Sequence, residues 1–379
     1  MTTKRMAAAL LAFALGGAAP VFAAFQNPIV SPESAALGGT MLTSSHDSAS
    51  LFSNPANLAG MLQPDFYFMY DQMYAGLAGV GSIGQGFVSG GLPTRYGNFG
   101  FGLGMFHAAG LMEERTLALA YGKKLTDRVE IGVVGKQLYH SFSVGGDPLA
   151  ANDPVFQNGH SAGAFGVDLG LRVKAAEGLY AGLAVRNLNE PNVGLMVTDR
   201  VPREIQAGVS YDWTKHRVRF TADLTHRDTQ MGDAMAKLTP AVGVEKGFQD
   251  SRFVFRAGLT PDSFSAGFGL RWGSVGLDYA LVLNRNLISG NVGTHQLGLR
   301  VRFGGPKEGA GRQASATLSG SEPMHPEAEV ASSAPAPTAP EVAPSGAPAP
   351  SGVPGGEPAP ILPAQTALAA PPAAQDGMR

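Results

Sequence analysis

Between Asp65 and Phe303 the apolar residues of this chain recur at every second position. The run FGVDLGLRV sets Phe165, Val167, Leu169, Leu171 and Val173 against Gly166, Asp168, Gly170 and Arg172. EIQAGVSYDW sets Ile205, Ala207, Val209, Tyr211 and Trp213 against Glu204, Gln206, Gly208, Ser210 and Asp212. VRFTADL, FSAGFGLRW and LGLRVRF repeat the pattern, with Arg219, Arg271, Arg300 and Arg302 on their polar sides. Successive side chains of a strand point to opposite faces. Each run is therefore a strand with one apolar face and one face of polar residues or glycine.

A soluble sandwich shows the same alternation. Three further features select a transmembrane antiparallel β-barrel. The runs have the length of about 9–11 residues that a tilted strand needs to cross a bilayer. About fourteen strands can be traced, an even number, joined by connections that alternate between short and long. The short ones include Lys123 to Arg128, Lys174 to Gly178 and Gly273-Ser274; the long ones include 143–163, 187–203, 226–237 and 284–295. Finally, Trp213, Trp272 and Phe303 each close a strand at the same, short-turn end, where an aromatic girdle at a membrane interface would sit. Hydrocarbon offers no hydrogen-bond partners, so such a sheet must close and lose its edges.

The two ends are different material. Lys4 and Arg5 precede an apolar run from Met6 to Ala19, and Val21-Phe22-Ala23 fits a cleavage site. Residues 1–23 are thus expected to be a signal peptide and Ala24 the mature start; the competing reading is an N-terminal anchor helix. With an exported chain and no apolar helix, the expected location is the outer membrane of a Gram-negative-type envelope. From residue 304 to 379 the chain is rich in Ala, Pro, Gly and Ser, and its last aromatic residue is Phe303. That segment is expected to be a disordered periplasmic tail, either a spacer or a tether to another periplasmic component. The chain has no cysteine and a formal net charge of −2. Disulfides and thiolate metal sites are excluded, and nothing points to nucleic acid. No cofactor or metal is expected.

The stretch HDSASLFSNPANLAG, residues 46–60, breaks the alternation. Its His, Asp and Ser residues are not read as a hydrolase triad, because triad members meet in space and no nucleophile-elbow motif occurs. They read as caps. Asp47 can cap a short helical turn over Ser48 to Phe52. Asn54 can cap another that starts at Pro55-Ala56, and Gly60 is expected to end it with positive φ. Ser31-Pro32 with Gly38 repeats the design upstream. Residues 24–64 are therefore expected to form capped turns ahead of the barrel (residues 65–303), in its lumen, as a plug. His107, His140, His160 and His295 are expected near the external ends, and His140 with Ser141 is the least implausible catalytic pair; the chain is not expected to be an enzyme.

The pattern ALGGT at Ala36 to Thr40, followed by DSASLFSNPANLA at Asp47 to Ala59, resembles the N-terminal region of FadL-like outer-membrane proteins, most of all the PorV/PorQ branch. Arg186-Asn187-Leu188-Asn189-Glu190-Pro191, with Val201-Pro202-Arg203 and Gly208, is similar to a second signature of that branch. The resemblance covers roughly Ala24 to Phe303. It implies a fourteen-stranded barrel with a lumenal plug. It also implies one of two functions: passage of hydrophobic small molecules across the outer membrane, or an accessory role in type IX secretion that binds exported proteins. The expected partners are outer-membrane lipid, then a hydrophobic small molecule or a secreted or periplasmic protein. Passage requires apolar contacts, for which Leu51, Phe52, Leu58, Met61 and Leu62 are the candidates. The inward charges Asp168, Arg172, Arg186, Glu204, Arg219, Arg256, Arg271 and Arg300 are expected to form paired networks between wall and plug, since unpaired charges away from water are costly.

Overall fold

A computed structural model of the chain describes residues 24–25, 28–40, 42–43, 46–76, 83–108, 110–144, 152–227, 237–285 and 292–304. The leader expected over 1–23, the tail expected beyond 304 and part of the 143–163 connection lie outside the described residues.

Fourteen strands follow one another along the chain: β1 (Asp65–Met73), β2 (Ile83–Thr94), β3 (Gly97–Ala108), β4 (Met112–Lys124), β5 (Val129–Phe142), β6 (Ser161–Ala176), β7 (Leu179–Arg186), β8 (Glu204–Trp213), β9 (Val218–Arg227), β10 (Lys237–Phe248), β11 (Phe253–Leu259), β12 (Ser263–Trp272), β13 (Val275–Asn284) and β14 (Thr294–Arg302). Each pairs with its sequence neighbours, and β1 pairs antiparallel with β14 from Asp65↔Arg302 to Gln72↔His295. The sheet is thereby a closed barrel without a free edge, which is the condition for spanning hydrocarbon. Among the described residues no helix is long and apolar enough to cross a membrane.

The alternation read from the sequence is realised side by side with the pleat. On β1, Phe66, Phe68 and Tyr70 are exposed while Tyr67 and Met69 are buried. Phe165, Leu169, Val209, Phe220, Phe264 and Leu297 lie on the same exposed outer face of their strands. A soluble protein rarely exposes an apolar belt of this extent, whereas lipid covers it. Trp213, Trp272 and Phe303 are all exposed at the short-turn end, and Trp272 is 90% exposed. Arg302, read as inward, is instead exposed at this end of the barrel, because the strand runs out of the wall there.

The opposite end is irregular. β7 is short, and β6 pairs with it only from Leu169 onward. The outer half of β6 is capped by the connection after β7. Leu188 N donates to Val167 O at 2.9 Å. The Asn189 side chain accepts from Val167 N at 3.0 Å and donates to Phe165 O at 2.8 Å. An Asn side chain thus satisfies the edge that the missing strand would have paired.

Candidate functional site

The residues ahead of β1 form a chain of capped turns. Helix α1 (Pro32–Ala36) has Ser31 as its cap, whose Oγ accepts from Ser34 N at 3.3 Å. Gly38 beyond it takes φ 74°, the left-handed conformation glycine adopts without strain. A first 3-10 turn (Ser48–Phe52) is capped by Asp47, which accepts from Ser50 N at 3.2 Å. A second (Pro55–Gly60) is capped by Asn54, which accepts from Ala56 N at 3.1 Å. Gly60 corrects the sequence reading. It is not among the positive-φ glycines, and the turn ends at Met61 in extended conformation. Glycine is required there for space: a Cβ on Gly60 would lie 2.3 Å from the His46 ring.

This segment meets every strand of the barrel on its inward face. Helix α1 rests on β11 to β14, the first 3-10 turn on β1 to β3, and the second on β3 to β6. The residues between them reach the rest. Thr43 Oγ1 bonds Ser210 Oγ on β8 at 2.7 Å, and Thr40 Oγ1 bonds Thr221 Oγ1 on β9 at 2.5 Å. Leu42 sits over Gly182 on β7, and Leu37 over Gly243 on β10. The segment thus touches all fourteen strands of the closed sheet from their buried side.

The wall is shaped to receive it. Gly122, Gly132 and Gly170 are paired neighbours on β4, β5 and β6. A Cβ would lie 2.8 Å from Ala59 N at Gly122, 2.2 Å from the Pro55 carbonyl carbon at Gly132, and 2.1 Å from Asn54 Oδ1 at Gly170. The three form a groove for the Asn54-Pro55-Ala56 turn. Asn54 Nδ2 fastens that turn by donating to Leu42 O at 2.7 Å and to Leu171 O at 3.1 Å. In the sequence these glycines stand on the polar faces of their runs. The signal was there, because inward glycines on adjacent strands at matching register mark a close backbone approach.

Arginines grip the segment from the wall. Arg300 Nη1 meets Asp47 Oδ2 at 2.5 Å. Glu33 on α1 faces Arg256 at 3.5 Å, Arg300 at 3.8 Å and Arg271 at 4.0 Å. Burial raises the Glu33 carboxyl, but Arg256, Arg300 and Arg271 outweigh burial and hold it at about 2, below its ordinary 4.5. Arg172 Nε donates to Thr43 O at 2.8 Å, and Arg186 Nη1 to Ser53 O at 3.2 Å. The same guanidiniums pair within the wall: Arg172 with Glu130, Arg186 with Glu204, and Arg256 with Glu245 and Asp278. Arg271 also meets Asp278, at 2.8 Å. Arg219 bridges Asp212 and Glu245, and Asp168 pairs with Lys136 at 2.8 Å. Glu33, Lys136 and Glu245 were not among the expected members. Glu33 escaped because a carboxylate in a helical first turn reads as an ordinary dipole partner.

The apolar candidates are mostly packed. Leu51, Leu58 and Met61 are at most 4% exposed and form one cluster with Ala118, Ala120 and Val134 of the wall. Phe52 packs against that cluster and against Phe87, ring centroids 5.0 Å apart. Leu62 is 38% exposed. Among the described residues no group of three or more His, Cys, Asp or Glu is arranged to hold a metal ion.

A closed fourteen-stranded barrel with an apolar outer belt and a polar, arginine-framed interior is an outer-membrane β-barrel of FadL-like fold. More narrowly, the chain belongs to the type IX secretion system membrane protein PorP/SprF family, whose model matches residues 47–301. That match is to PorP/SprF and not to the PorV/PorQ branch suggested by the N-terminal motifs. No curated protein sequence matches the chain. Among solved structures, the toluene transporter TbuX of Ralstonia pickettii is similar with a TM-score of 0.55 and 14% identity, over 74% of this chain and 100% of that one. The monoaromatic hydrocarbon channel CymD gives 0.53 and 15%, over 75% and 100%. A FadL homologue of Pseudomonas aeruginosa gives 0.53 and 13%, over 74% and 100%. At these identities the likeness is one of fold.

Proposed function

We propose that this protein is an outer-membrane component of a type IX secretion apparatus that works as an anchored docking body, with its N-terminal segment closing the lumen as a plug. The observation that carries the reading is the fixing of the described residues between 31 and 61 against all fourteen strands by buried ion pairs, glycine grooves and packed leucines. A channel for hydrophobic molecules needs an apolar path, and here Leu51, Leu58 and Met61 are consumed in packing against the wall. Family membership supports the same reading. Protein partners would then be met outside the lumen, by the long connections at one end or by the residues beyond Phe303.

The test uses the purified full chain and its deletion strain. Secretion of type IX cargo should fail in the deletion strain, and an affinity-tagged barrel should retain other envelope proteins. The barrel in planar bilayers should show little conductance, and vesicles containing it should take up toluene or fatty acid no faster than empty ones. Normal secretion in the deletion strain, together with barrel-dependent uptake of a hydrophobic probe, would overturn the proposal in favour of hydrophobic passage.

A further inference from the structure

Near the long-connection end, a short piece of chain enters the lumen alone. Ala24 is 2% exposed and packs with Leu138, Val193 and Val201. Phe25 lies against the same cluster, its ring stacked on His140 at 6.5 Å and 22°. Phe25 takes φ 55°, a conformation that an L residue with a large side chain adopts only when its surroundings impose it. The imposing contact is a hydrogen bond: Phe25 N donates to Glu114 Oε1 at 2.6 Å.

Glu114 is an inward residue of β4 and only 5% exposed. Several buried carboxylates of the wall have cations: Glu130 has Arg172, Glu204 has Arg186 and Arg227, Glu245 has Arg219 and Arg256; Asp71 is instead served by the Gln296 amide at 3.0 Å. Among the described residues Glu114 has no Lys or Arg partner, and its contact is the Phe25 amide. A buried carboxylate served by one neutral donor is an unfavourable arrangement; a cation beside it would complete the site.

We propose that removal of residues 1–23 supplies that cation: the α-ammonium freed at Ala24 docks in the lumen against Glu114 as its counter-ion. The atom is one residue from the amide already bonded to Glu114, and Ala24 is already buried in the right cluster. In the unprocessed chain the same nitrogen is a neutral amide and carries one hydrogen. Processing converts it to a charged group with three donors. The left-handed turn at Phe25 then has a purpose, to fold the first residue back onto β4. Processing would thus complete the packing of the lumen at this end as well as release the leader. The inference rests on cleavage after Ala23 and is independent of the secretion reading.

The test is amine labelling of the full mature barrel purified from outer membranes. Mass spectrometry should first find Ala24 as the amino-terminal residue. At neutral pH an amine-reactive ester prefers the α-amine to the lysines, since its pKa is lower. In the folded barrel the Ala24 amine should react at least about tenfold more slowly than in denatured protein. Glu114→Gln should raise its rate towards the denatured value while the lysine rates stay put, and Glu114→Asp, which keeps the charge, should retain protection. If Glu114→Gln does not fold, the wild-type ratio and Glu114→Asp still decide. A mature chain starting elsewhere, an α-amine equally reactive folded and denatured, or Glu114→Gln as protected as wild type would each overturn the proposal.

Discussion

Replacing Gly132 by Ala puts one methyl group where the second 3-10 turn rests. The new Cβ would lie 2.2 Å from the Pro55 carbonyl carbon and 2.5 Å from Ala56 N. Ordinary contact begins near 3.4 Å, so the turn must retreat by about 1.2 Å. Both obstacles are backbone, and neither can rotate away. A retreat of that size takes the Asn54 Nδ2 bond to Leu171 O, now 3.1 Å, out of hydrogen-bond range. Overpacking costs about 1–3 kcal/mol and a lost hydrogen bond about 1 kcal/mol. With a tenfold change for each 1.4 kcal/mol, release of the segment should become about 30-fold more frequent or more. Global unfolding is the wrong assay, because Ala for Gly also restricts the unfolded chain and stabilises in the opposite sense. The suitable measurement is limited proteolysis of the N-terminal segment in the folded, detergent-solubilised barrel, where cleavage follows the open population. Gly166→Ala is the control on the neighbouring strand, since its Cβ meets side chains and not the segment's backbone: Lys136 at 3.1 Å from Cε and 3.2 Å from Cγ, and Pro191 Cγ at 3.6 Å. Equal cleavage of Gly132→Ala and wild type would refute the groove argument, as would equal acceleration in the control.

Other perturbations test the remaining links. Arg300→Met removes the guanidinium that meets Asp47 and one of the three that face Glu33 and should destabilise by about 3–5 kcal/mol, read from the urea midpoint; adding Asp47→Asn should recover part of the loss. The Glu33 carboxyl is depressed in the folded state, so its contribution is complete above its ordinary 4.5 and disappears as pH falls towards about 2. Protease protection of the segment should therefore fade through that window, and Glu33→Gln should flatten the fade. Leu169→Arg places a charge on the lipid face of β6 and should cost about 2–4 kcal/mol in membrane insertion if Leu169 lies near the midplane.

The wall was legible because its code is local: residues such as Phe264, Phe268 and Trp272 declare their face by spacing alone. The caps were legible for the same reason, since Asp47 and Asn54 act on amides two or three residues away. What the sequence hid is set at long range. Glu33 meets Arg256, more than two hundred positions on, and nothing near either residue announces the other. Gly60 was assigned to a backbone conformation because a glycine after a helical turn has that local meaning, whereas here the deciding neighbour is the His46 ring. The apolar side chains Leu51 and Leu58 were ambiguous in sequence because the same residue types line a ligand path or a packed core.

The contact between Asp47 and Arg300 spans 253 positions and joins β14 to the segment ahead of β1, whose Ser48 N donates to Asp65 of β1 at 3.1 Å. Until the last strand arrives, the acids of the N-terminal segment look across an incomplete cylinder with their strongest partner absent. Late non-local contacts of this kind slow folding and leave a long-lived unfinished species. The seam is consequently stitched from within as well as along its hydrogen-bond ladder, and a chain truncated before Arg300 would lose both threads at once.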